Sequence, residues 1–227
     1  MGIVKKDDDY LAMRKRKKRN IRFNQELASS ISHGFGLLFG IVAIPIVTAM
    51  AAMKGDPSII VGTGVYGFGF LMVYSTSTIY HSVTHPVIKR VMNILDHIGI
   101  FFLIAGSYTP FILAYYFNSL GITLLCLIWG LTFFGVIFKI IFGFKYQLFS
   151  TSIYLLMGWL VVFFARSFFA SMPLSCVLLI ALGGLFYTIG VIFYLWERWT
   201  YHHAVWHIFV LLGSITHYVA VVAMLLD

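Results

Sequence analysis

Seven apolar runs, each long enough to cross a bilayer as a helix, fix the kind of structure open to this chain of 227 residues. The hydrocarbon core of a bilayer is roughly 30 Å thick, which takes about 20 residues of α-helix. Runs of that length extend over Gly34–Met53, Ile59–Ser82, Ile94–Phe117, Leu120–Ile141, Phe149–Ala170, Leu174–Trp196 and His203–Leu226. Turn and charge signals separate them: Lys54-Gly55-Asp56-Pro57, the stretch from Thr84 to Asn93, Asn118-Ser119, Gly143 to Gln147, Ser171-Met172-Pro173 and Glu197-Arg198. Only 11% of the residues are charged and 60% are hydrophobic, against about 25% charged in an ordinary soluble domain. A soluble enzyme, a secreted disulfide scaffold and a disordered tail are thereby excluded. The sequence predicts an all-α integral membrane protein, a seven-transmembrane helix bundle. Residues 1–32 form a basic N-terminal segment and residues 33–227 the seven-span domain, every loop being too short to hold a second one.

The net charge of +8 would suit a nucleic-acid binder until its location is considered. Lys5, Lys6, Arg14, Lys15, Arg16, Lys17, Lys18, Arg19 and Arg22 all precede the first apolar run. Beside a membrane span such a cluster is a cytoplasmic retention signal, also attracted to anionic headgroups. With the N-terminus inside, the same face collects Lys89, Arg90, Lys139, Lys145 and Arg198, leaving only Lys54 and Arg166 outside. The N-terminus is therefore expected in the cytoplasm and the C-terminus outside. The first run is too long, and lacks a small-residue cleavage site, for a signal peptide. Membrane lipids are the expected partners, with no nucleic acid; nothing in the sequence sets an oligomeric state.

Two features are decoys. Gly62-Thr63-Gly64-Val65-Tyr66-Gly67 spells a dinucleotide fingerprint, which works only between a strand and a helix of a βαβ unit. Inside an apolar span its glycines instead let helices approach closely, as would Gly36 and Gly40. Cys126 and Cys176 both fall within apolar runs, where a thiol behaves as a small hydrophobe.

Titratable groups are costly in lipid, so the few within spans are informative. Asp96 is the one carboxylate inside a predicted span. His81 closes the second span with Ser77 one turn before it, and His203 and His207 open the seventh, four residues apart and on one helix face. The alternating direction of the spans brings Ser77, His81, Asp96, His203 and His207 to one depth near the cytoplasmic face. Three histidines that leave one coordination position open are a catalytic zinc arrangement. His85, His97 and His202 are expected to meet headgroups, His217 to be a helix-packing hydrogen bonder, and His33 to stand in an outer shell.

The chain resembles the hemolysin III family, within the progestin and adiponectin receptor superfamily. The resemblance rests on Gln25 to Gly34, on Ser77-Thr78-Ile79-Tyr80-His81-Ser82, on Leu95-Asp96-His97-Ile98-Gly99-Ile100, on Gly106-Ser107-Tyr108-Thr109-Pro110 and on His203-Ala204-Val205-Trp206-His207. It implies a seven-helix zinc protein with a cytoplasmic N-terminus in a bacterial cell membrane, its metal site drawn from Ser77, His81, Asp96, His203 and His207. Two positions depart from the family's E-E-x-x-N-x-x-x-H pattern: Gln25 stands for the first acid and Ser29 for the asparagine.

The expected activity is zinc-dependent hydrolysis of a lipid amide or ester, ceramidase-like by the superfamily's similarity to alkaline ceramidases. His81, His203 and His207 would hold Zn2+, Asp96 would orient water and carry its proton, and Ser77 would hydrogen-bond the water or the developing oxyanion. Two alternatives stand beside it: a membrane-lytic protein, as the family name says, and a receptor or membrane-homeostasis protein with structural zinc.

Overall fold

A computed structural model describes residues 2–196 and 198–227, the side chains of residues 2–12, 15, 18, 19 and 165 excepted. Glu197, half of the sixth predicted break, lies outside the described residues, as do the side chains of Lys5, Lys6, Lys15, Lys18 and Arg19. The described residues form eight α-helices: α1 (Gly2–Lys54), α2 (Pro57–Ser82), α3 (Pro86–Tyr115), α4 (Ser119–Phe142), α5 (Gln147–Trp159), α6 (Ala165–Ala170), α7 (Leu174–Leu195) and α8 (His202–Leu226). A 3₁₀ segment, Leu160–Phe164, joins α5 to α6. Seven helical spans among the described residues are long and apolar enough to cross a membrane. Their outward faces carry large apolar side chains such as Phe35, Leu38, Phe133 and Leu178, each well exposed. The chain is a multi-pass membrane protein.

The helix ends follow local chemistry. Asp56 Oδ1 accepts from the Ser58 N–H at 2.7 Å, with Pro57 in the first turn of α2, where a missing N–H costs nothing. Asn118 Oδ1 accepts from the N–H groups of Leu120 and Gly121, both at 3.0 Å, and so starts α4. Gly143, at φ +56°, ends α4 in a conformation that favours glycine.

Three boundaries differ from the sequence reading. α1 begins far ahead of Gly34, as one helix through the basic segment. α3 starts at Pro86 rather than Ile94, because proline is at home in a first turn and the polar residues after it lower hydropathy without ending a helix. The fifth span, read as continuous over Phe149–Ala170, changes to 3₁₀ geometry at Leu160. Carbonyls loosened there are collected by the Tyr108 hydroxyl, which lies 2.7 Å from Gly158 O and 3.1 Å from Met157 O.

Glycines set how closely the first three helices pack. A Cβ on Gly62 would stand 2.7 Å from Pro110 Cα, and one on Gly99 would stand 2.9 Å from Val73 Cα, so α2 and α3 meet backbone to backbone. Gly36 and Gly40 of α1 lie against Tyr74 and Phe70 of α2. Phe70, Tyr74, Phe101 and Ile112 fill the core between these helices at essentially zero exposure. Close packing along α2 and α3 brings the last turn of α2 and the first half of α3 together, with the start of α8 beside them.

Candidate metal centre

His81, on the last turn of α2, and His203 and His207, on the first turns of α8, bring one ring nitrogen each to within 4.8 Å of the others. The ring centroids of His203 and His207 are 4.6 Å apart, as a four-residue helical spacing permits, and His81 closes the triangle at 5.3 Å and 5.1 Å. His207 is wholly buried and His81 is 8% exposed. The three residues could hold a metal ion.

Their chemistry fits one. His81 Nδ1 lies 2.9 Å from Glu26 Oε2. An ionised carboxylate only accepts, so Nδ1 carries the proton and Nε2 keeps its lone pair. That Nε2 faces His207 Nε2 at 3.2 Å. The lone pair on His81 Nε2 can take up a proton, from His207 Nε2, or a cation. Ligands on a tetrahedral zinc with Zn–N bonds of about 2.0–2.1 Å stand about 3.3–3.4 Å apart, so the pair has the spacing a metal needs.

Around the triangle lie groups from α1, α2 and α3. Lys89 Nζ donates to Glu26 Oε2 at 2.9 Å and to Tyr80 O at 3.0 Å, and sits over the Tyr80 ring. His207 Nδ1 pairs with His33 Nε2, and the Nδ1 of His33 is buried without a hydrogen-bond partner. Asp96 is 3% exposed and interacts with Ser77 and His81. Its oxygens are not among the mutually close ligand atoms, which, among the described residues, come from the three histidines. Ser77 is fully buried, and its Oγ makes no hydrogen bond of normal geometry. All five residues singled out in the sequence therefore lie in one neighbourhood.

The remaining histidines divide. His85 is exposed, as expected for a headgroup contact. His217 is buried and donates through Nε2 to Ile180 O at 3.2 Å, the helix-packing bond expected of it. His97 is not at a headgroup: it is 6% exposed, donates through Nδ1 to Asn93 O one turn back, and packs against Phe144. One residue on from Asp96, it turns away from the histidine triangle toward α4. His202 is half-buried and donates to Phe193 O at 3.1 Å, which ties α8 to α7. Glu26 and Lys89 were not assigned to the site from the sequence, because Glu26 precedes the first apolar run and Lys89 falls in a predicted break.

A cavity of about 520 Å³ adjoins the site. Apolar and aromatic side chains line it, among them Leu103, Tyr108, Tyr154, Tyr194 and Val210. Trp206 belongs to both: it forms part of the cavity wall, and its ring meets His203 edge-on at 4.9 Å and lies tilted 4.6 Å from His207.

Comparison with known proteins gives a consistent picture. Residues 21–218 match the family model described as "Haemolysin-III related". The chain is 42% identical over 190 residues to "Hemolysin-3 homolog" of Bacillus subtilis (strain 168), covering 84% of this chain and 89% of that protein. It is 40% identical over 190 residues to "Hemolysin-3" of Bacillus cereus, covering 84% and 87%. Similarity extends to "Monocyte to macrophage differentiation factor" of Homo sapiens, 28% identical over 166 residues, or 69% of this chain and 67% of that protein. No solved structure matches the chain.

Proposed function

The chain belongs to the haemolysin-III related family, and on that premise we propose that it is a zinc-dependent hydrolase that cleaves a lipid amide or ester within the membrane. The observation that carries this reading is a set of three closely grouped imidazoles with no carboxylate among the close ligand atoms of the described residues, beside an apolar cavity. Three protein ligands distinguish hydrolytic zinc from the closed, four-ligand structural kind.

Zinc bound there supplies Lewis acidity that brings the ionisation of water to near pH 7. Asp96, buried next to Ser77, accepts the proton of the attacking water and returns it to the leaving amine or alkoxide. The Ser77 hydroxyl, buried beside Asp96, would donate to the oxyanion that develops at the carbonyl. The cavity takes the acyl chain and excludes water from it, while Trp206 holds the boundary between chain and reacting carbonyl. The site lies toward the end of the bundle that carries Lys89, Arg90, Lys145 and Arg198, which the positive-inside rule assigns to the cytoplasmic face of the cell membrane.

The test is turnover of a panel of acyl amides and esters in mixed micelles by purified, zinc-loaded protein, with and without chelator, alongside lipidomics of cells lacking the gene. Chelator-sensitive release of fatty acid supports the reading. Full zinc occupancy with no turnover on any substrate would falsify it.

A further inference from the structure

One face of α1 reaches every element that carries a histidine of the triangle. Glu26 Oε2 holds His81 Nδ1 at 2.9 Å at the end of α2. His33, two turns further along the same face, meets His207 Nδ1 on α8. Gln25 donates from its side-chain amide to Thr200 O, in the loop that leads directly into His202 and His203. The residue between them, Ser29, is 1% exposed, so the face is in close contact along its length. Residues seven apart on a helix lie on one side and about 10 Å apart, which matches the separation needed to back two histidines on different helices.

We propose that this face of α1 is the positioning support of the metal centre, with Glu26 and His33 each fixing the tautomer and ring orientation of one histidine. The inference rests on the zinc reading above. A histidine that ligates through Nε2 must carry its proton at Nδ1, and a partner that accepts there both selects that tautomer and stops the ring from turning. Glu26 does this for His81. His33 Nε2 does it for His207, which leaves the proton of His33 on Nδ1, the atom that is buried without a partner. Lys89 fixes Glu26 in turn, donating to the same oxygen that His81 uses. Gln25 serves differently. A carbonyl oxygen only accepts, so the partner of Thr200 O must be a donor, and an ionised glutamate at position 25 would repel it.

The experiment measures zinc affinity by chelator competition, and the visible spectrum of the cobalt-substituted protein, for the full-length chain in detergent. Wild type is compared with Glu26→Gln, His33→Leu and His33→Gln. Glu26→Gln is nearly isosteric and removes the charge; it is expected to weaken zinc binding by about 10-fold or more, within the 10–100-fold range of such outer partners. His33→Leu removes the acceptor and weakens binding similarly, whereas His33→Gln returns an oxygen near the Nε2 position and restores it. The cobalt spectra of the weakened variants shift, while the melting temperature of metal-free Glu26→Gln stays at the wild-type value, separating positioning from folding. Equal zinc affinity and identical spectra in wild type and Glu26→Gln overturn the inference and leave the zinc reading standing. Wild type that binds no zinc overturns both.

Discussion

The indole of Trp206 packs 4.6 Å from the ring of His207 on one side and walls the apolar cavity on the other. On the proposed hydrolase reading it would separate the acyl chain from the reacting centre. Trp206→Ala should keep its zinc but let the carbonyl wander, and an ångström of misplacement can cost about 100-fold in rate. We expect kcat/KM for the preferred acyl substrate to fall by about 10–100-fold, with altered chain-length preference, measured across a series of chain lengths at equal zinc occupancy. Unchanged chain preference would remove Trp206 from the role.

The histidines and the Asp96–Ser77 pair should separate by metal content. His81→Ala and His207→Ala are expected to lose zinc. Asp96→Asn and Ser77→Ala should retain it while turnover falls, by about 100-fold or more for Asp96→Asn if it carries the proton. Bound zinc, measured by elemental analysis of detergent-purified protein, distinguishes them. Loss of zinc in Asp96→Asn would make the aspartate a ligand and favour a closed, structural site.

Packing of α2 on α3 gives a prediction with an internal control. Gly62→Ala would press a methyl against Pro110 Cα at 2.7 Å, where backbone cannot give way cheaply. The expected cost is about 1–3 kcal/mol. Gly64, two residues on, has nothing within 4 Å of a built Cβ. Gly64→Ala should be neutral, or stabilising by about 0.4–1 kcal/mol through the unfolded chain. Thermal unfolding in detergent compares the two directly, and an equal effect on both would show that the α2–α3 contact is looser than described.

Tyr108→Phe removes the hydroxyl that serves the Met157 and Gly158 carbonyls where the fifth span changes to 3₁₀ geometry. Leaving a buried carbonyl unserved costs about 1–3 kcal/mol. The loss should appear as a lower melting temperature and as faster amide exchange over residues 157–164, with the rest of the bundle unaffected. Uniform exchange across α5 would argue that the kink does not depend on this bond.

How much of this was legible follows from what hydropathy and spacing can encode. Seven spans were readable because apolar length is itself the signal, and His203 and His207 because a spacing of four places two side chains on one helix face. His81 joined them only through the alternating direction of the spans. A place for His33 behind the metal site was expected, but the pairing of Glu26 with His81 was not readable. A helix that continues into polar sequence has no hydropathy signature, so the first span seemed to begin at Gly34, and Glu26 fell outside any helix that could reach His81. His97 was misplaced because depth alone predicts a headgroup contact, whereas the side of α3 on which a residue falls decides whether Phe144 covers it. The change in the fifth span depends on Tyr108, some 50 residues away in sequence, which no local pattern around Gly158 announces.

α1 runs from Gly2 to Lys54 as one helix, so the exposed cations Arg14, Arg16, Lys17 and Arg22 share a single rod with Glu26 and His33. At about 1.5 Å per residue the rod is about 80 Å long, while the hydrocarbon core it crosses is only about 30 Å thick. The arm beyond the membrane is therefore long compared with the few ångströms that separate Glu26 from His81. A torque applied to it, by an anionic surface drawing its charges to one side, would act on Glu26 and His33 in the same stroke, because neither can rotate without the other. The two histidines that face each other across α2 and α8 thus share one mechanical reference, and it stands outside both of their helices.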